Sequence, residues 1–267
     1  MSRVAEALYE EALKDTSVIV EKMQSALSKI NSAATKQIKE CVAREGLILT
    51  QPADIQKFIR YCYGVSSAYG EAAAAVACEA YDALGLAAGL ILEPAVPAEV
   101  ATMHEVAKAI EGTLKTSQNV EELSGAVTRY VKRTGQDTLL KNAYRDHAQA
   151  AWVPSGDTCA FCIMLASRGW EYVSKKAAQG HAEHIHSNCD CTYAVRFDTK
   201  ATIKGYDPDK YYEQYKNAEG RTTEEKLNSM RRKYYAENKE TILAQKADAY
   251  AKRMELNSSA AEETKVD

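Results

Sequence analysis

Large aromatic side chains are scarce in this 267-residue sequence: three Phe and two Trp stand beside sixteen Tyr. Proline and glycine are also few, five and thirteen, which is too little turn chemistry for an all-β chain and leaves helix as the better expectation. No charge of one sign dominates. Lys and Arg total 34 against 37 Asp and Glu, a formal charge of -3, so no global basic field recruits nucleic acid or anionic lipid, and any such contact must be local. Long apolar runs are missing as well. The most apolar stretch, 83–96, is interrupted by Gly, Glu and Pro and falls short of the roughly 20 residues that span a bilayer, so no membrane partner is expected. The opening MSRVAEALYEEALKD carries acidic residues where a signal peptide needs an apolar core. It reads as an ordinary amphipathic helix in a chain that folds in a reducing cytosol. Seven cysteines, an odd number, argue against a complete set of internal disulfides.

What is present is helical periodicity. Val4, Leu8, Ala12, Ile19, Met23, Leu27, Ile30, Ala34, Ile38 and Val42 recur mostly at three, four or seven residues, one apolar face of a long helix that ends around Gly46. That face needs a partner, either another protein or the next helices of the same chain. Gln51-Pro52-Ala53-Asp54 reads as a helix start, and EAAAAVACEAYDALGLAAGL at 71–90 has high helix propensity and suits close crossing of two helices. Glu93-Pro94 and Val96-Pro97 break the pattern. Three shorter amphipathic segments follow near 98–115, 119–133 and 136–150, the last two separated by a joint at Thr134-Gly135.

From Trp152 to Phe197 the texture changes. Cys159-Ala-Phe-Cys162 is followed, 23 residues later, by His186-Ser-Asn-Cys189-Asp-Cys191. Two pairs of soft ligands, each close in sequence, are what a tetrahedral zinc site needs. Cys159 and Cys162 are expected to hold one edge, His186 and Cys189 the other, with Cys191 as substitute or fifth candidate and His181 and His184 in reserve. Alternatives are a disulfide or buried reduced thiols. Zinc leads because four of the seven Cys and three of the five His crowd into 33 residues that hold few bulky core residues beyond Leu165, Trp170, Tyr172 and Val173. Cys41, Cys62 and Cys78 stand singly in helical patterns and read as small core hydrophobes.

Catalysis finds little support. His181-Ala-Glu183 has the H-x-E form of zinc deaminases, but the C-x-x-C precedes it, Pro154 is not adjacent to Cys159, and the ligand candidates leave no open seat for water. H-E-x-x-H, Walker-type and G-x-S-x-G motifs do not occur, and Ser155-Gly156-Asp157 reads as a turn. No enzyme is expected.

The string WVPSGDTCAFCIMLASRG at 152–169, closed by HSNCDC at 186–191, resembles the motif of MuF-like minor capsid proteins, the phage head morphogenesis family of tailed bacteriophages. In that family a C-x2-C followed by Leu-Ala-x-Arg-Gly precedes H-x2-C-x-C. Here those positions are Cys159, Cys162, Leu165 to Gly169, His186, Cys189 and Cys191, with Ser187-Asn188 where relatives often carry Pro or Asp. GQDTLLKNA at 135–143 and GYDPDKYY at 205–212 resemble the family's flanking segments, so the likeness is good over 136–212 and general before it. It implies a virion component in few copies, acting near the portal vertex or inner capsid during head assembly, with portal or major capsid protein as partners. Its locations would be the virion head and, during assembly, the host cytoplasm.

The expected organisation is therefore mainly α: a helical body over 1–150, a small Cys/His zinc-type α+β or irregular module over 151–197, and a polar, partly helical tail over 198–267 whose end, NSSAAEETKVD, is disordered. Arg168, Lys175, Lys176 and Arg196 balance Asp157, Glu171, Glu183 and Asp190 in the module, which disfavours a zinc-finger DNA reader. A zinc-binding regulatory or nucleic-acid-binding module is the runner-up. The stretch 226–253 differs: Lys226, Arg231, Arg232, Lys233, Lys239, Lys246, Lys252 and Arg253 outnumber Glu237, Glu240 and Asp248. It offers a contact to packaged DNA, against the commoner alternative of a solvated helix.

Overall fold

A computed structural model describes residues 15–156, 158–182, 185, 189–244, 246–248 and 250–251. The part of the expected N-terminal helix over 1–14, the C-terminal end expected to be disordered, and His186 lie outside these residues.

Helix α1, Thr16–Arg44, starts where the Asp15 carboxylate accepts the Ser17 N–H at 2.8 Å, a side-chain cap for a donor the helix cannot satisfy itself. It stops before Gly46, whose φ of 59° suits a residue without a side chain. Ile19, Met23, Ala34 and Ile38 are buried along it, on the face that the periodicity predicts, while at its end Cys41 is buried and Val42 half-buried. Its partner is internal. Ile19, Val20 and Met23 share one cluster with Ala77, Ala80, Tyr81 and Leu84 of α2, Pro52–Ala87, and with Leu139 and Leu140 of α4, Val120–Arg145.

Between α2 and α4 comes α3, Met103–Leu114, opened by a reciprocal capping box of Thr102 and Glu105. Before it, residues 88–102 run without helix, as the two prolines require. Side chains hold this extended stretch to the helices. Asn142 accepts from the Val96 N–H and donates to the Val96 carbonyl, both at 2.9 Å, Thr138 accepts from the Ala98 N–H, and Asp82 from the Ala95 N–H.

The joint expected at Thr134-Gly135 is absent, because α4 runs through it unbroken. Gly135 faces α1 and α2 so closely that a Cβ there would stand 3.3 Å from Leu27 Cδ2 and 3.5 Å from the Ala73 carbonyl. This glycine marks a helix crossing, not a break, and the alanines of α2 serve the same close approach.

After α4 the chain forms β1, Gln149–Val153, then α5, Ala160–Ala166, β2, Glu171–Tyr172, α6, Lys175–Gln179, and β3, Thr192–Arg196. The strands make one antiparallel sheet in the order β2-β1-β3, with Gln149 opposite Arg196 and Val153 opposite Thr192. Ala150, Ala151, Val153, Ala194 and Val195 belong to the same core cluster as the helices, and so do Ile203 and Tyr206 beyond the sheet. Helices α7, Pro208–Lys216, and α8, Thr223–Glu237, follow, with more helix at 239–244 and among the described residues up to 251, and the fold is mainly helical as expected.

Candidate metal centre

The C-x-x-C segment is a helix start. Cys159 is the N-cap of α5, and its sulfur accepts the Cys162 N–H at 3.5 Å. That geometry turns the buried Cys162 side chain toward the entry of β3, where Cys189 and Cys191 arrive two residues apart. The sulfurs of Cys162, Cys189 and Cys191 all lie within 4.8 Å of one another, and those of Cys162 and Cys189 are 3.3 Å apart. Ligands held about 2.3 Å from one zinc at tetrahedral angles stand about 3.8 Å apart. The three sulfurs are therefore close enough to share one ion.

The surroundings are suited to thiolates. Trp152 of β1 lies in the same cluster as Cys162 and Cys191 and meets Tyr193 edge-on at 4.9 Å, which shields one side. Its indole N–H is buried with no hydrogen-bond partner among the described residues, and the Ser155 N–H donates to the Cys191 sulfur at 3.4 Å. From α4, Lys132, only 9% exposed at its side chain, donates to the Cys189 carbonyl at 2.6 Å and stands 3.6 Å from Asp190. Burial pushes its amine down, opposed by Asp190 and Cys189. One turn on, the Gln136 side-chain Oε1 accepts the Tyr193 N–H at 2.7 Å and fixes the start of β3.

Crowded thiols hold their protons when no cation is among them. Hydrogen bonds to Cys159, Cys189 and Cys191, together with burial, push Cys162 up. Cys191 is pushed up to about 12: its bond with Cys162 favours the thiolate, but Cys189 and burial outweigh it. A bound metal cation reverses this balance by displacing the protons. Three sulfurs, two of them buried and one half-buried, fit a thiophilic metal far better than a hard, oxygen-seeking ion.

The structure thus brings together Cys162, Cys189 and Cys191. Cys159 stands exposed at the helix cap beside Cys162. Cys191, expected as a substitute, is one of the three. His186 and His184 lie outside the described residues, as does Glu183 of the H-x-E element. His181 is engaged elsewhere: its Nδ1 lies 2.8 Å from Asp137, whose other oxygen accepts the Ala182 N–H at 2.6 Å. Cys41 and Cys62 are buried in the helices, and Cys78 is half-buried. Sequence reasoning missed Lys132, Gln136 and Trp152 as supports. No sequence signal set them apart: Lys132 and Gln136 stand on a helix that also carries Arg129, Arg133, Asp137 and Lys141.

A family model for the VG15 protein matches residues 14–218. The chain belongs to the VG15 protein family. This is a family of phage or viral gene products, so the chain is a viral protein. The VG15 match spans α1 to α7 and includes the whole sulfur cluster, while α8 lies beyond it. No curated protein and no solved structure matches the chain significantly. No described helix is long and apolar enough to cross a membrane.

Proposed function

We propose that this viral protein is a minor capsid component of a tailed phage, acting without turnover in head morphogenesis near the portal or inner capsid. The observation that carries the reading is the convergence of Cys162, Cys189 and Cys191, three positions of the motif that resembles MuF-like proteins. In this reading the metal is zinc, held by these three thiolates with Cys159 or His186 as the fourth ligand. Its chemistry is structural, since four protein ligands leave no open seat. The residues around it tie α5 to the sheet and, through Lys132 and Gln136, to α4. Portal or major capsid protein would be bound through the helical surface, in the virion head and in host cytoplasm during assembly.

Mass spectrometry of purified virions tests the function. The chain should be found in wild-type particles, and phage lacking its gene should make fewer, aberrant or poorly infectious heads. Absence from particles, with normal heads formed without it, overturns the proposal.

A further inference from the structure

Helix α8 is anchored at its first turns and then leaves the body. Leu227 and Met230 pack on Ala160 and Met164 of α5, and Lys226 caps the end of α7 by donating to the Tyr215 and Lys216 carbonyls at 3.2 and 2.8 Å. Beyond Met230, α8 ends at Glu237, and Asn238 (φ −115°, ψ 14°) turns the chain into further helix from 239; the hydrogen-bond ladder crosses the turn, since Asn238 donates to the Tyr234 carbonyl at 3.0 Å and accepts from the Ile242 N–H at 2.9 Å. From 231 to 251 every described residue is exposed except Asn238 and Ile242, which are half-buried. A helix with so little packed against it is marginal in water.

Its charges are sorted by face. At 3.6 residues per turn, Arg231, Arg232, Lys239 and Lys246 fall within roughly a 100° arc together with Tyr235 and Tyr250. Glu237, Glu240 and Asp248 fall on the other side, where Lys233 pairs with Glu237 at 3.9 Å. The cations recur about 11 Å apart along the axis, at 1.5 Å per residue. We propose that this face binds the phosphate backbone of duplex DNA without sequence preference. Arginine, lysine and tyrosine hydroxyls are donors to phosphate oxygens, and the major groove of B-form DNA admits a helix, whereas that of A-form RNA does not. A membrane-lying helix keeps its cations on one face and its apolar residues on the other. Here Ile242 and Leu243 lie on or beside the cationic arc and the opposite face is acidic. Lys226, spent on the α7 cap, is not part of the surface, and Lys252 and Arg253 lie outside the described residues. The inference does not depend on the capsid reading.

The test is fluorescence anisotropy of the full chain with a labelled duplex of about 30 base pairs, titrated with salt from about 50 mM. Four neutralised phosphates give a log–log salt slope of about −3.6. Arg232→Glu/Lys239→Glu should weaken binding at least about tenfold at low salt and roughly halve the slope. Arg232→Gln/Lys239→Gln should fall between that variant and wild type. Lys57→Glu/Arg60→Glu, the same charge change on exposed positions of α2, should bind as wild type does. Circular dichroism should show all three variants folded. The proposal is overturned by no binding at the lowest salt, by equal losses in both Glu pairs, or by binding to phosphatidylglycerol vesicles without binding to the duplex.

Discussion

Replacing Cys162 by Ser tests the metal centre most directly, because this thiol is 1% exposed and sits between the sulfurs of Cys189 and Cys191. A structural zinc contributes on the order of 10 kcal/mol to the segment that folds around it. One missing thiolate should remove most of that binding. The hydroxyl itself costs about 1–3 kcal/mol when buried. The consequence should not stay local, because Val153, Ala194 and Val195, adjoining the cluster, pack with Leu139 and Tyr81 in the helical core. We expect purified wild type to carry about one zinc per chain and the variant to carry almost none. If 3–5 kcal/mol of the lost binding reaches the cooperative core, the melting temperature should drop by roughly 6–20 °C, at about 2–4 °C per kcal/mol. Far-UV circular dichroism at low temperature should keep most of its helical signal. Chelator is the internal control: it should bring wild type down to within the small hydroxyl cost of the variant. Cys41→Ser, at a buried thiol in α1 away from the cluster, should retain zinc. Metal-free wild type that melts as high as metal-loaded protein, or a Cys162→Ser variant with full zinc content, would refute the reasoning.

Other predictions follow from the packing and the charges. Asn142→Ala removes the side-chain bonds to the Val96 N–H and carbonyl and should cost about 1–3 kcal/mol in denaturant unfolding, at about 0.5–1.5 per bond, because Val96 is itself exposed and water can take over the freed groups. Gly135→Val should destabilise by about 1–3 kcal/mol through overpacking against Leu27 and Ala73, whereas Gly112→Ala in α3, with open space around it, should stabilise by about 0.5–1 kcal/mol. Glu105 has its carboxyl lowered from 4.5 to about 2: burial opposes this, but bonds from Arg133 and Thr102 prevail. Its contribution is therefore complete above pH 4.5 and lost as pH falls toward 2. The stability gap between wild type and Glu105→Gln, followed by thermal unfolding, should shrink over that window; a gap that is constant with pH contradicts it.

Sequence alone determined whatever depends on neighbours along the chain. The apolar spacing from Ile19 to Ile38 gave the buried face of α1, the start at Pro52 gave α2, and Glu93-Pro94 and Val96-Pro97 gave the extended crossing, because periodicity and the missing proline N–H act locally. The cysteine spacing likewise singled out Cys159, Cys162, Cys189 and Cys191 as candidates for one site, of which the fold brings three together. Tertiary structure decided what depends on residues distant in sequence. Gly135 reads as a breaker until Leu27 and Ala73 are seen against it. Cys191 outranks Cys159 in burial only because the pairing of Thr192 with Val153 carries it inward while Cys159 stays at an exposed helix cap. Lys132 becomes a neighbour of the cluster only once α4 lies beneath the entry to β3. The apolar face of α1 could have met another protein or the next helices of the same chain, and only packing against α2 and α4 decided between them, since periodicity specifies that a face must be buried but not by which surface.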